Sequence, residues 1–431
     1  MSRLAAALAF IVLFASGASA MNIDRVVSPH GIEAWLVHDD TVPLIAMSFA
    51  FTGGASQDPA GRPGVANMVS GLLDEGAGDL DSQAFQAALD DSSIELSFDA
   101  GRDTLSGDLR TLIEDRDQAA HLLHLALTAP RFDSEPVERI RAQILSGIKR
   151  GAHDPNTVAN DALMTASFPG HPYGRPVRGT EESVGAIAVG DLRQWTQRNM
   201  ARDNLKVAVV GAIDSAALGK FLDEIFDGLP AKAEQAPVAD AIPAIAPQIN
   251  IEMSIPQTVI RIGGKGLKRD DPEFIPATVA SYILGGGGFE SRLYGEVREK
   301  RGLAYSVSLG LVPFNHAGAI FGSTSTRADQ ASDVVALIQS EVKRFAEDGP
   351  TEAELAAAKS YLTGSYALRF NTSGKIADEL LSMQLDNLGI DWIDKRNAAI
   401  NAVTIDDVRR VARRLFGSGD LTIVRVGEPS T

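Results

Sequence analysis

Histidine is the first residue type to weigh, because imidazole is the commonest zinc ligand and a general base near neutral pH. Of seven histidines, only His121 and His124 fall at helical spacing, in His121-Leu122-Leu123-His124-Leu125-Ala126-Leu127, with no glutamate between them. On an amphipathic helix such an i, i+3 pair reads as half-buried packing, not as a metal site. His30, His38, His153, His171 and His316 lie in turn-like sequence beside Pro, Asp or Asn, and none reads as a ligand. The run Leu284-Gly285-Gly286-Gly287-Gly288-Phe289 has the glycines of a phosphate loop but not its Gly-Lys-Ser/Thr ending, so it reads as a flexible turn. There is no cysteine, which excludes disulfides, thiolate metal sites and cysteine nucleophiles. No Gly-x-Ser-x-Gly elbow is present to support a serine hydrolase.

The elements that must position any site come in two similar sets. In one, a helical pattern from Val189 to Met200 leads into an apolar strand, Leu205 to Val210, and Gly211. In the other, a helix from Ile405 to Leu415 leads into the strand Leu421 to Val426 and Gly427. This recurrence indicates an internal duplication. Each half opens with β-rich runs, Gly31–Val37 and Leu44–Phe51 in the first, Gln257–Gly263 and Ala304–Leu311 in the second. Helical patterns lie between, over 82–89, 116–127, 134–150 and 351–368. The balance predicts an α+β fold of two homologous halves, each a mostly antiparallel sheet covered by helices on one face.

A Pro/Ala-rich stretch without apolar period, residues 229–248, divides the chain as a stiff linker, giving an N-terminal domain over 21–228 and a C-terminal domain over 249–431. Residues 1–20 read as a signal peptide: Arg3, an apolar run from Leu4 to Phe14, then small residues ending in Ala18-Ser19-Ala20. The expected location is therefore outside the cytoplasm, in a bacterial periplasm. No later segment is long and apolar enough to span a bilayer. The formal charge of −16 argues against nucleic acid or anionic lipid as a partner.

Several stretches together resemble the pitrilysin/insulinase-type family of zinc peptidases, the inverzincins that include the mitochondrial processing peptidase. Gly53-Gly54-Ala55-Ser56 and Gly61-Arg62-Pro63-Gly64-Val65-Ala66 are similar to its approach to the catalytic helix. Pro130-Arg131-Phe132 and His171-Pro172-Tyr173-Gly174-Arg175-Pro176 are similar to later features. Ser291-Arg292-Leu293-Tyr294 with Arg298-Glu299-Lys300-Arg301-Gly302-Leu303-Ala304-Tyr305 is similar to its second-half signature. The family's chemistry is His-x-x-Glu-His on a helix, two histidines and a distal glutamate binding zinc and the first glutamate acting as base. Here the resemblance places Asn67 and Gly71 at the histidine positions, Ser70 at the base and Gly147, beside Ser146, at the distal glutamate. None can do the family's work, so the degenerate site implies no metal and no cofactor in this chain. Val65, Met68, Val69, Leu72 and Leu73 still form an apolar helix face, and Gly71 leaves space on the opposite one.

The resemblance also implies that Arg298 and Tyr305 match the arginine and tyrosine that bind substrate carbonyls and stabilise the oxyanion. It implies a non-catalytic, substrate-binding subunit of a heteromeric peptidase. Its partner would be a zinc-bearing homologous subunit, in a heterodimer or larger assembly, and an extended peptide the substrate. A peptide would add as a strand to a sheet edge. The alternatives are a scaffold and a stand-alone peptide-binding protein.

Overall fold

The computed structural model describes residues 21–428; residues 1–20, the expected signal peptide, lie outside the described residues. The first sheet is built from β1 (Asp24–Val27), β2 (Glu33–His38), β3 (Leu44–Thr52), β4 (Glu95–Ala100), β5 (Thr104–Leu112) and β6 (Leu205–Gly211), in the order β1-β2-β6-β3-β5-β4. The second is built from β7 (Ile249–Glu252), β8 (Gln257–Lys265), β9 (Val307–Phe314), β10 (Ala317–Arg327) and β11 (Thr422–Gly427), in the order β7-β11-β8-β10-β9. β6 pairs parallel with β2 and antiparallel with β3. β11 repeats this, parallel with β7 and antiparallel with β8. The duplication read from two helix–strand endings therefore extends through five strands of each sheet.

Helices cover one face of each sheet. On the first lie α1 (Val65–Ser70), α2 (Ser82–Asp91), α3 (Arg116–Thr128), α4 (Ser134–Gly151), α6 (Glu181–Ala186), α7 (Val189–Asn199) and α8 (Ser215–Phe226); α5 (Pro155–Ser167) interrupts this set and goes elsewhere. The second carries α9 (Phe274–Ser281), α10 (Ala331–Asp348), α11 (Glu352–Gly364), α13 (Trp392–Ala402) and α14 (Ile405–Phe416), with α12 (Ser373–Leu385) set apart. Phe49 of β3 anchors the first core, edge-on to Phe226 at 5.7 Å and to Phe51 at 6.2 Å.

The opposite faces are covered too, which the sequence pattern did not predict. α12 crosses to the first sheet and packs Ile376, Ala377, Leu380 and Leu381 onto Trp35, Val37, Ala50, Ala208 and Val210. The buried Gln384 amide donates to Val207 O at 2.8 Å. Reciprocally, Ala159 and Leu163 of α5 pack onto Val259, Val424 and Val426 of the second sheet. Each half thus lends a helix to the other. Central strands buried on both faces are the consequence, and seven of the nine residues of β3 are buried.

Residues 229–248 carry almost no regular structure, only the first hydrogen-bonded position of β7 lying close behind, and they run as a strap along both halves. Gln57 holds Ala236 through both backbone groups, Ala241 N donates to His316 O at 2.7 Å and Ala246 N to Thr422 Oγ1 at 2.8 Å. Tyr173 of the His-Pro-Tyr-Gly stretch is fully buried where the halves meet; its hydroxyl donates to Asp103 at 2.6 Å and accepts from His316 N at 3.0 Å.

Candidate functional site

The degenerate zinc helix is present but short. α1 ends at Ser70, one residue before the second histidine position, and Gly71 closes it with φ −77° and ψ 1°. Leu72 N then bonds Val69 O at 2.9 Å, a tighter turn. Glycine at this point favours termination, since it costs about 1 kcal/mol against alanine inside a helix. Val65, Met68, Val69, Leu72 and Leu73 are all buried, as their spacing predicts. Ser70 is buried as well, its hydroxyl donating to Asn67 O at 3.0 Å.

The space expected beside Gly71 is already filled. A Cβ there would lie 3.3 Å from Cγ2 of Ile140 on α4. Gly147, two turns further along α4, has only the Arg150 guanidinium within reach of a Cβ, at 4.0 Å. Amide, hydroxyl and two bare glycines do not fit zinc, and no group of three or more His, Cys, Asp or Glu among the described residues is placed to hold a metal ion. His124 instead bonds Ile225 O through Nδ1 at 3.1 Å, a packing role on α3, and His121 is exposed.

Asp58 is a residue that sequence reasoning missed. Its carboxylate accepts from Gly64 N at 2.7 Å and Ala66 N at 2.8 Å, meeting the open N–H groups at the start of α1. Burial pushes this carboxyl up to about 7, against those two hydrogen bonds. The sequence signal is faint, an Asp before Pro59 several residues ahead of the helix.

The second half holds the other candidates. Arg298 lies in a π-helical turn, Gly295–Glu299, that follows the short helical turn Arg292–Tyr294. Tyr305 is not in the expected strand; it sits in the connection before β9, which begins at Val307. Gly302, at φ +62°, makes the left-handed turn between them. Two threonines of β10 fix the connection: Thr326 donates to Leu303 O at 2.5 Å and Thr324 to Ser306 O at 2.7 Å.

These constraints bring Arg298 and Tyr305 together. The guanidinium carbon is 4.6 Å from the centre of the Tyr305 ring, 4.9 Å from that of Tyr294 and 5.8 Å from that of Phe289. Phe289 and Tyr294 were not identified from sequence. Tyr294 could have been, since it precedes Arg298 by four residues on a helical turn. Tyr305 is 81% exposed and Phe289 73% exposed, so the cluster opens to solvent.

Its neighbours' charges are spent elsewhere. Glu296 takes Lys300 at 2.6 Å and Arg301 at 2.5 Å, whereas the Arg298 guanidinium has no hydrogen bond or ion pair among the described residues. Arg298 is therefore a fixed cation with its donor fork free. No hydrogen bond, ion pair or ring contact among the described residues joins this cluster to α1.

The ion pairs around the cluster set an acid response. The hydrogen bonds from Lys300 and Arg301 hold Glu296 down at about 2. Glu354 also lies at about 2: burial opposes, but the hydrogen bonds from Arg292 and Thr351 outweigh it. Both folded-state values are below the unfolded one, so their stabilisation is complete above about pH 4.5 and disappears as pH falls towards 2. We expect the urea midpoint of the native sequence to fall more steeply below about pH 4.5 than that of a variant lacking one of these carboxylates, each pair contributing about 1–2 kcal/mol after solvent screening, whereas Asp58, raised by burial, adds stability as pH falls from 7. Glu296→Gln is to flatten part of that drop.

Comparison with known proteins places this geometry. Residues 186–362 match the family described as Peptidase M16 inactive domain. The chain is similar to the crystal structure of a peptidase M16 inactive domain from Pseudomonas fluorescens, with a TM-score of 0.88 and 27% identity over 94% of this chain and 98% of that one. Over residues 186–362 the chain is similar to the inactive domain of M16 peptidases. It is also 29% identical over 336 residues to the non-peptidase homolog YmxG of Helicobacter pylori, covering 77% of each. It is 23% identical over 411 residues to the mitochondrial-processing peptidase subunit beta of Blastocladiella emersonii, covering 93% of this chain and 87% of that one. An inactive M16 domain agrees with the four positions that carry no zinc ligand. No helix among the described residues is long and apolar enough to cross a membrane.

Proposed function

We propose that this protein is the non-catalytic, substrate-binding subunit of a heteromeric peptidase, and that Arg298 and Tyr305 grip the peptide while a zinc-bearing M16 partner hydrolyses it. The observation that carries this reading is the free donor fork of Arg298 held between aromatic rings beside an exposed Tyr305 hydroxyl. A carbonyl oxygen approaching the pair meets a fixed positive charge and a second donor. Both strengthen as negative charge develops on that oxygen.

β9 begins two residues after Tyr305 and is an edge strand, with β10 on one side alone. Edge strands present unpaired backbone groups, and an extended peptide added there would run next to the Arg298–Tyr305 pair. Residues 1–20, read as a cleaved leader, support export to a bacterial periplasm for the assembled enzyme.

Purified alone, the protein is expected to contain no stoichiometric zinc and to cleave no peptide. Metal analysis and a hydrolysis assay with and without chelator test this; chelator-sensitive activity of the pure chain would contradict the proposal.

A further inference from the structure

A cavity of about 570 Å³ lies between α9, the crossing helix α12 and α13, away from Arg298 and Tyr305. That volume suits a small organic ligand. Three arginines line it, Arg269, Arg369 and Arg396, against two carboxylates, Glu379 and Asp386. Arg269 pairs with Asp386 at 3.0 Å and Arg369 with Glu379 at 3.3 Å.

Arg396 is the odd cation. Its Nη1 donates to Leu362 O at 3.0 Å and Asn397 Oδ1 at 3.2 Å, and the guanidinium lies 4.0 Å from the centre of the Tyr366 ring. No carboxylate among the described residues lies within ion-pairing distance of it. Burial holds its pKa below the usual value, Arg369 adds to that, and Glu379 counters from longer range. A partly desolvated cation without a counterion is costly, and an anion bound beside it would relieve that cost.

The wall supplies two further features. The Tyr282 hydroxyl is buried and has no hydrogen-bond partner, which marks a place where the protein does not complete its own polar contacts. Ile275, Leu311 and Trp392 make an apolar side to the same cavity.

We propose that this cavity binds an organic monocarboxylate with an apolar body, the carboxylate on Arg396 and the body against Ile275, Leu311 and Trp392. One unpaired cation sets the charge of the ligand at one; a phosphate dianion would exceed it. Two sources present this chemistry, a free acid and the C-terminus of a peptide. The inference does not rest on the peptide-gripping reading, since the cavity includes neither Arg298 nor Tyr305.

The test is titration of the full chain with 3-phenylpropanoate and with 3-phenylpropanamide, followed by calorimetry and by tryptophan emission. Trp392 lines the cavity; Trp35 lies under α12 and Trp195 in the first core, and neither lines it. Acetyl-Gly-Phe as acid and as amide distinguishes a peptide terminus from a free acid. Saturable binding of either acid, weaker on the order of 10–100-fold for its amide, is the expected result, because a charge-assisted hydrogen bond is lost. Arg396→Gln should weaken the acid by a similar factor and leave the amide unchanged. Thr278→Trp, which fills the cavity and keeps Arg396, should abolish binding and decides the matter if Arg396→Gln fails to fold. Equal binding of acid and amide, no binding of either acid, or binding that survives Thr278→Trp would each overturn the proposal.

Discussion

Arg298→Ala is expected to lower peptide turnover by the proposed two-chain enzyme by more than about tenfold while leaving assembly intact. The guanidinium touches three rings and makes no ion pair or hydrogen bond among the described residues. Its removal therefore breaks no salt bridge of this chain, and the melting temperature should shift little. Tyr305→Phe is the sharper variant. Its ring would still lie over Arg298, and only the hydroxyl is lost, at a residue 81% exposed. A fall in kcat with KM nearly constant would mean the hydroxyl acts on the transition state more than on the bound peptide. Unchanged kinetics for both variants would return the pair to ordinary surface residues.

The second large effect is a failure to restore activity. Installing the family's ligands by Asn67→His, Ser70→Glu, Gly71→His and Gly147→Glu should not yield a stoichiometric zinc site. The reason is geometric. α1 stops at Ser70; Gly71 N still bonds Asn67 O, at a long 3.4 Å, but Ile140 stands 3.3 Å from where a Cβ at 71 would be, so an imidazole there meets the α4 packing. The fourfold variant should also be less stable by about 1–3 kcal/mol, the usual cost of overpacking. Adding Ile140→Ala removes the obstruction, and equilibrium dialysis should then detect more zinc. Full zinc occupancy without the change at 140 would show that the site is merely unligated, not rebuilt.

Much of the fold was legible because burial leaves a local trace. β3 and β6 are apolar on both faces apart from Ser48 and Thr52 in β3 and Lys206 in β6, since both faces are covered, and the helix–strand endings before Gly211 and Gly427 repeat. β10 was not legible: Gly322-Ser323-Thr324-Ser325-Thr326 alternates buried and half-buried positions with small polar residues, leaving no apolar period. The exchanged helices were hidden for another reason. The apolar positions of α5 and α12 indicate that each helix packs on something, but only the tertiary structure specifies which sheet. At the site, the resemblance supplied Arg298 and Tyr305. Phe289 was missed because a residue ending a glycine run has no periodic partner to mark it. The closure of space at Gly71 could not be read either, because Ile140 is remote in sequence and reaches it only through the packing of α4 on α1.

The helix exchange bears on how a two-chain enzyme could work. Because α5 and α12 tie the halves together, this chain presents one body to a partner, with the Arg298 cluster open on its surface. The measurement that tests the central claim most directly is recovery of the tagged chain from its native compartment, with identification of what co-purifies in equal amount by mass spectrometry. The account predicts a similar-sized chain carrying His-x-x-Glu-His. Recovery of the chain alone, from cells that make such a homologue, would contradict it.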